Sequence, residues 1–204
     1  MSYRFSLRIA LILALAAPAF GGYNVVNTSS SVNCLFSTTC TVSPTDYVYD
    51  FAITGGNGHA HLQSRIYQGQ PGSVAAGKWV YRYRIDLEDV TATGSILPYA
   101  DALAISGFGP LRQYDYNFDT VATDHVFNVT VGGPGTKAVT SSYTLFGWTY
   151  FNYADPVYAG TSPGTGQMSY SFGVVSDYFP ILRELRIHTS TGWLTVWGYA
   201  PSYP

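Results

Sequence analysis

Along most of this chain, apolar and polar residues alternate in short runs separated by glycine, proline and small polar residues. Period two is the pattern of a β-strand with one buried face. The clearest case is KWVYRYRIDLEDV, residues 78–90. Trp79, Tyr81, Tyr83, Ile85 and Leu87 share one face, while Val80, Arg82, Arg84, Asp86 and Glu88 share the other. The spacing predicts a strand with its first face in the core and its second in water. Arg82 and Arg84 beside Asp86 and Glu88 read as a solvated face.

Further strands are predicted at residues 47–53, 60–67, 101–109, 110–117, 125–133, 141–151, 167–176, 182–190 and 193–200. LRELRI, residues 182–187, also fits a helical turn, but its place between DYFP and TSTGW favours a strand. No helical periodicity of useful length appears, and no repeat that would indicate a propeller or solenoid. The 21 glycines and 11 prolines supply the turns. The expected fold is all-β: a two-sheet antiparallel β-sandwich with jelly-roll or Greek-key connections. The GTSPGTG stretch, residues 160–166, reads as a loop inside that domain.

The first residues break the pattern. Arg4 and Arg8 make a basic start, residues 9–17 form an apolar run too short to span a bilayer, and Ala17-Pro18-Ala19 is small at the cleavage positions. Residues 1–19 therefore read as a secretory signal peptide and residues 20–204 as one sandwich domain with no transmembrane segment. Export changes the reading of Cys34 and Cys40. Their spacing is not that of a redox C-x-x-C pair, and one pair cannot fill a zinc shell, so a disulfide closing a small loop is expected.

Composition supports a packed core, with 47% hydrophobic and 16% aromatic residues including 18 tyrosines. Only 11% of residues are charged and the formal net charge is −2, so there is no basic face for nucleic acid or an anionic membrane.

Candidate chemistry is sparse. His59 and His61 sit at a spacing that a metal site with His125 or His188 can use, yet the glutamate a cupin motif needs is replaced by Ser64 and Arg65. Asp86 and Glu88 are near in sequence, but nothing around them supplies the apolar pocket a glycosidase acid needs; Glu184 is the other glutamate. No G-x-S-x-G elbow is present. Asn27 and Asn128 head N-x-S/T sequons. Aromatic residues in YTLFGWTYFNYADPVY, above all Trp148, Tyr150 and Tyr153, fit a sugar-stacking platform, although both faces of that run carry bulk and a strand buried on both sides fits too. Asp115, Asn117, Asp119 and Asp124 resemble the start of a calcium loop. Thr120 stands where the helix-flanked loop needs glycine, and Val126 where it needs glutamate. Calcium is thus the one possible cofactor, against an acidic strand-and-turn.

The segments YDYNFDTVATDHVFNVTVGGPGT (residues 114–136), PVYAGTSPGTGQMSYSFGVVS (156–176) and TVWGYAPSYP (195–204), with SRIYQG and YRYRIDL, resemble secreted bacterial surface proteins of the PEP-CTERM type. The resemblance implies export to the cell surface and a link to exopolysaccharide layers. The family's C-terminal sorting tail, a Pro-Glu-Pro, an apolar helix and a basic end, is not seen in this sequence, which fits a tail-less relative, a truncated reading frame or an unrelated sandwich. No catalytic residue follows from the resemblance. The sequence thus points first to a secreted, non-catalytic sandwich of the cell surface or extracellular matrix. A carbohydrate-binding module, with extracellular polysaccharide as partner, comes second, and a polysaccharide-active hydrolase or lyase third.

Overall fold

The computed structural model describes residues 22–203. The expected signal peptide lies outside the described residues. The strands are β1 (Val25–Ser29), β2 (Thr45–Phe51), β3 (Gly56–Asn57), β4 (Ala60–Gln68), β5 (Trp79–Asp86), β6 (Thr91–Ala92) and β7 (Tyr99–Ser106). They continue with β8 (Val126–Val131), β9 (Ser141–Leu145), β10 (Trp148–Tyr158), β11 (Ser171–Ser176), β12 (Pro180–Thr189) and β13 (Gly192–Pro201). A 3-10 helix, Ser30–Leu35, follows β1.

Two sheets pack face to face. The larger has the order β1-β8-β11-β5-β4-β2, the smaller β13-β12-β7-β10-β9, and β3 and β6 form a separate ribbon. Sequence neighbours repeatedly fall in different sheets (β5 to β7, β7 to β8, β10 to β11), which is how Greek-key connections build a sandwich. One pairing departs from the antiparallel expectation: β1 runs parallel to β8.

The core between the sheets takes the predicted face of β5, with Tyr81, Tyr83 and Ile85 buried against Leu103, Phe151, Leu185, Ile187 and Val196 of the smaller sheet. Buried tyrosines need partners for their hydroxyls. Tyr83 donates to the Tyr199 carbonyl at 2.8 Å, and Tyr81 to the Tyr178 carbonyl at 2.7 Å. The Tyr199 N–H in turn donates to Ser64 Oγ at 3.1 Å. Backbone groups of the edge strand β13 are thereby tied to the opposite sheet, which blunts an edge that would otherwise template pairing. On the other side, the Tyr23 N–H donates to the Ser142 carbonyl at 2.8 Å and links the chain entering β1 to β9.

The second face of β5 is not uniformly wet. Val80 is fully buried with Tyr67, Phe127, Val129 and Val175 under Val32, Leu35, Phe36, Ala75 and Tyr116. The 3-10 helix and two loops thus lay a second small core over the outside of the larger sheet. The Cys34–Cys40 disulfide clips that helix to the turn after it. The Ala75 N–H donates to the Leu35 carbonyl and the Gln70 N–H to the Phe36 carbonyl, which fixes the covering loop.

Two predicted strands are revised. Residues 110–117 form no strand, only a bridge between Tyr114 and Asp124. Residues 141–151 are two strands, β9 and β10, joined at Phe146 and Gly147. Both have positive φ, 50° and 78°, the two-residue hairpin geometry that matches strand twist.

Candidate functional site

The outer face of the smaller sheet is uncovered and carries the unburied rings of Tyr143, Trp148, Tyr150, Trp193 and Trp197. Its central strand β7 is narrow there, with Ala102, Ala104 and Ser106 pointing outward. Tyr150 and Arg186 flank Ala104 from the two neighbouring strands, and Asn152 and His188 flank Ala102. One strand further out, Tyr143 stands opposite Tyr150 and Trp193 opposite His188. Small residues between tall ones make a shallow trough about 13 Å long, four residues of strand at a rise of roughly 3.3 Å.

At the Ala102 end the trough deepens into a concavity of about 260 Å³ lined by Asp101, Tyr143, Tyr150, Asn152, Tyr153, His188 and Trp193. Asp101 reaches it because β7 shifts register against both neighbours here, so Asp101 and Ala102 face the same side. Asp101 Oδ1 lies 2.7 Å from His188 Nδ1. The Tyr143 and Tyr150 rings stack at 5.0 Å with 18° between their planes, and Trp193 meets Tyr150 edge-on at 5.9 Å. At the Ser106 end, the Arg186 guanidinium lies 4.5 Å from the centre of the Trp148 ring. The site therefore offers fixed ring faces with a carboxylate, an amide and an imidazole at their rim. Ring faces pack on the C–H face of a pyranose, and rim groups bond its hydroxyls.

The sequence-predicted rings divide. Trp148 and Tyr150 lie on this open face. Tyr153 is 4% exposed and packs into the core, its ring edge-on to Phe172, yet it also lines the concavity; burial raises its phenol above the ordinary range. Tyr143, Trp193 and Asp101 were not foreseen, and His188 only as a possible metal ligand. They come from four other strands, and only sheet order brings them together.

In the acidic loop, Asp115, Asn117, Asp119 and Asp124 all bond nearby donors. Asp115 accepts the N–H groups of Asp119 and Thr120 at 2.9 and 2.8 Å. Asn117 Oδ1 accepts the Asp119 N–H as well, at 3.2 Å. Asp119 accepts the Val121 N–H and the Asn117 amide, each at 2.9 Å. Asp124 is buried and accepts the Tyr116 N–H at 3.0 Å and the Asn24 amide at 2.8 Å. Burial raises its carboxyl above the ordinary value. The carboxylates cap the loop's own backbone, while Tyr116 plugs it into the second core. Among the described residues, no group of three or more His, Cys, Asp or Glu is placed to hold a metal ion.

The histidines are dispersed. His59 is exposed before β4, His61 Nδ1 lies 2.7 Å from Asp50 Oδ1 on the larger sheet, and the Asn24 N–H donates to His125 Nδ1. The glutamates do not meet either. Glu88 lines a concavity of about 310 Å³ with Lys137, Gln167 and Met168, while Glu184 lies on the outer face of the smaller sheet. Asp86 is occupied in capping the Glu88 N–H at 2.9 Å. Of the sequons, Asn128 is buried and bonded to Asn27 and to Val139.

Among the described residues, no helix is long and apolar enough to cross a membrane. Comparison with protein-family models, curated proteins and solved structures finds no match to this chain.

Proposed function

We propose that this chain is a non-catalytic carbohydrate-binding sandwich that works outside the cell, with the open face of the smaller sheet as its binding surface. The observation that carries the reading is the trough over β7, where Tyr143, Tyr150 and Trp193 present ring faces around Asp101, Asn152 and His188. The disulfide and the basic, apolar first residues support an oxidising compartment, and the resemblance to exported surface proteins agrees. The partner is a polysaccharide of the cell surface or extracellular matrix. Affinity electrophoresis of the mature protein through gels holding bacterial and plant polysaccharides tests this directly. Retention lost in Trp193→Ala and Tyr150→Ala supports the site; unretarded migration through every polymer overturns it.

The Asp101–His188 pair favours one second reading, a polysaccharide-active enzyme. With Nδ1–H donated to Asp101, Nε2 is left as the free nitrogen, able to take or give a proton in the trough. Release of reducing ends or of unsaturated product from a retained polymer, lost in His188→Ala, would establish it.

A further inference from the structure

The outer face of the larger sheet holds a second surface, built of arginines. Register sets Arg65 on β4 directly opposite Arg82 on β5, and Gln63 opposite Arg84. Arg82 and Arg84 are two apart on one strand, so three arginines share one patch, their Cα positions about 5 Å apart across strands and about 7 Å along them. Like charges directly opposite on a sheet are destabilising. The protein answers only part of this charge. Arg65 pairs with Asp46 at 2.7 Å, Gln63 donates to the same carboxylate at 3.1 Å, and Arg82 Nε donates to Ser171 Oγ at 3.1 Å.

Among the described residues, no carboxylate lies within ion-pairing distance of Arg82 or Arg84. Residues 1–21 contain no Asp or Glu, so they bring no acidic side chain to the patch. Asp50 and Asp86 sit one row away beside His61, where Asp50 bonds His61 and Asp86 caps a turn. Two buried polar atoms here also have no hydrogen-bond partner, Arg65 Nε and Arg84 Nε. Burial raises the Tyr67 phenol, while the charge and hydrogen bond of Arg82 and the charge of Arg65 pull it the other way. Unanswered buried donors at one spot call for an acceptor.

We propose that this face binds an acidic polysaccharide through its carboxylate or sulfate groups, with Arg82 and Arg84 as the principal ligands and Arg65 beside them. Planar guanidinium groups suit both oxyanions in bidentate geometry. The surface is flat and open, which suits an extended polymer. It lies on the opposite side of the sandwich from the aromatic trough and does not depend on it, so the two surfaces together would let one molecule bridge two chains.

The test is retention of the mature protein on polygalacturonate and on dextran sulfate. Binding to either, weakening steeply with added salt, is expected; which polymer binds identifies the oxyanion. Arg82→Gln with Arg84→Gln should weaken it on the order of tenfold, as loss of charge-assisted hydrogen bonds predicts, while Trp193→Ala leaves it unchanged. Should the double variant fail to fold, the wild-type melting temperature decides. The retained polymer should raise it more than uncharged dextran does at equal ionic strength. Retention on neither polymer, retention unaffected by the double substitution, or equal effects of the charged and uncharged polymers overturns the proposal.

Discussion

Arg186 holds its guanidinium 4.5 Å from the centre of the Trp148 ring, reaching from β12 across the small residues of β7 to β10. The contact fixes a ring on the proposed binding face, and fixed rings lose less entropy on binding. Arg186→Ala should therefore weaken polysaccharide retention severalfold. Its effect on stability should stay within about 1 kcal/mol, the range of an exposed cation–π pair. Affinity electrophoresis beside thermal melting separates the two.

Asp101→Asn should reduce retention while barely changing the melting temperature, because Asp101 is a rim group rather than part of the core. Asp50→Asn supplies the control. Asp50 and Asp101 each bond a histidine Nδ1 at 2.7 Å, but only Asp101 does so inside an aromatic trough. Equal losses from both substitutions would detach the pair from sugar binding.

How much of this was legible in the sequence follows from what period two can and cannot carry. It assigned Tyr81, Tyr83 and Ile85 to the core, and the structure agrees. Applied strictly to β10, it also separates Trp148 and Tyr150 from Tyr153, since an odd offset crosses the sheet; grouping all three by composition discarded that signal. It could not show that Val80 is covered, because the cover comes from Val32 and Phe36, far away in sequence. Nor could it assemble the trough, whose residues meet only through the order β13-β12-β7-β10-β9. The hairpin at Phe146 and Gly147 escaped because phenylalanine is a poor marker of a left-handed turn position. The DYN segment reads two ways for a different reason: side chains that ligate calcium are also those that cap backbone turns.

That overlap makes a prediction. Asp119 accepts the Val121 N–H and the Asn117 amide, so Asp119→Ala should cost about 1 kcal/mol from lost loop hydrogen bonds. The loss should be the same in calcium and in chelator, read by thermal melting. A loss confined to calcium would instead make the loop a cation site.

The Cys34–Cys40 bridge closes a short loop, with a sequence separation of 6, over the second core. Its removal by paired alanine substitution should cost about 2 kcal/mol on the chain-entropy model. Its consequences should be local. Amide exchange should quicken at Leu35, Phe36 and Ala75, whose covering layer loosens, and stay slow at Leu103 and Ile187 in the main core. Uniform acceleration would show that the two cores unfold as one unit.

Asp177 joins Lys78 and Arg112, accepting from Lys78 Nζ and from Arg112. Burial would raise its carboxyl, but the hydrogen bonds and charges of Arg112 and Lys78 outweigh that and hold it below the ordinary value. A carboxyl with a depressed folded pKa adds stability above its unfolded pKa, near 4, and loses it as pH falls through the folded value. The cluster is partly exposed, so its worth is about 1 kcal/mol or less. Asp177→Asn should therefore lower the melting temperature by a few degrees at neutral pH and by the same amount down to about pH 5, with the difference shrinking as pH falls below about 4 and through the lower folded value. Asp124 titrates in the opposite sense, because burial raises its carboxyl, and it cancels when variant is subtracted from wild type. A difference that persists at low pH would show that Asp177 acts through shape and hydrogen bonding rather than through its charge.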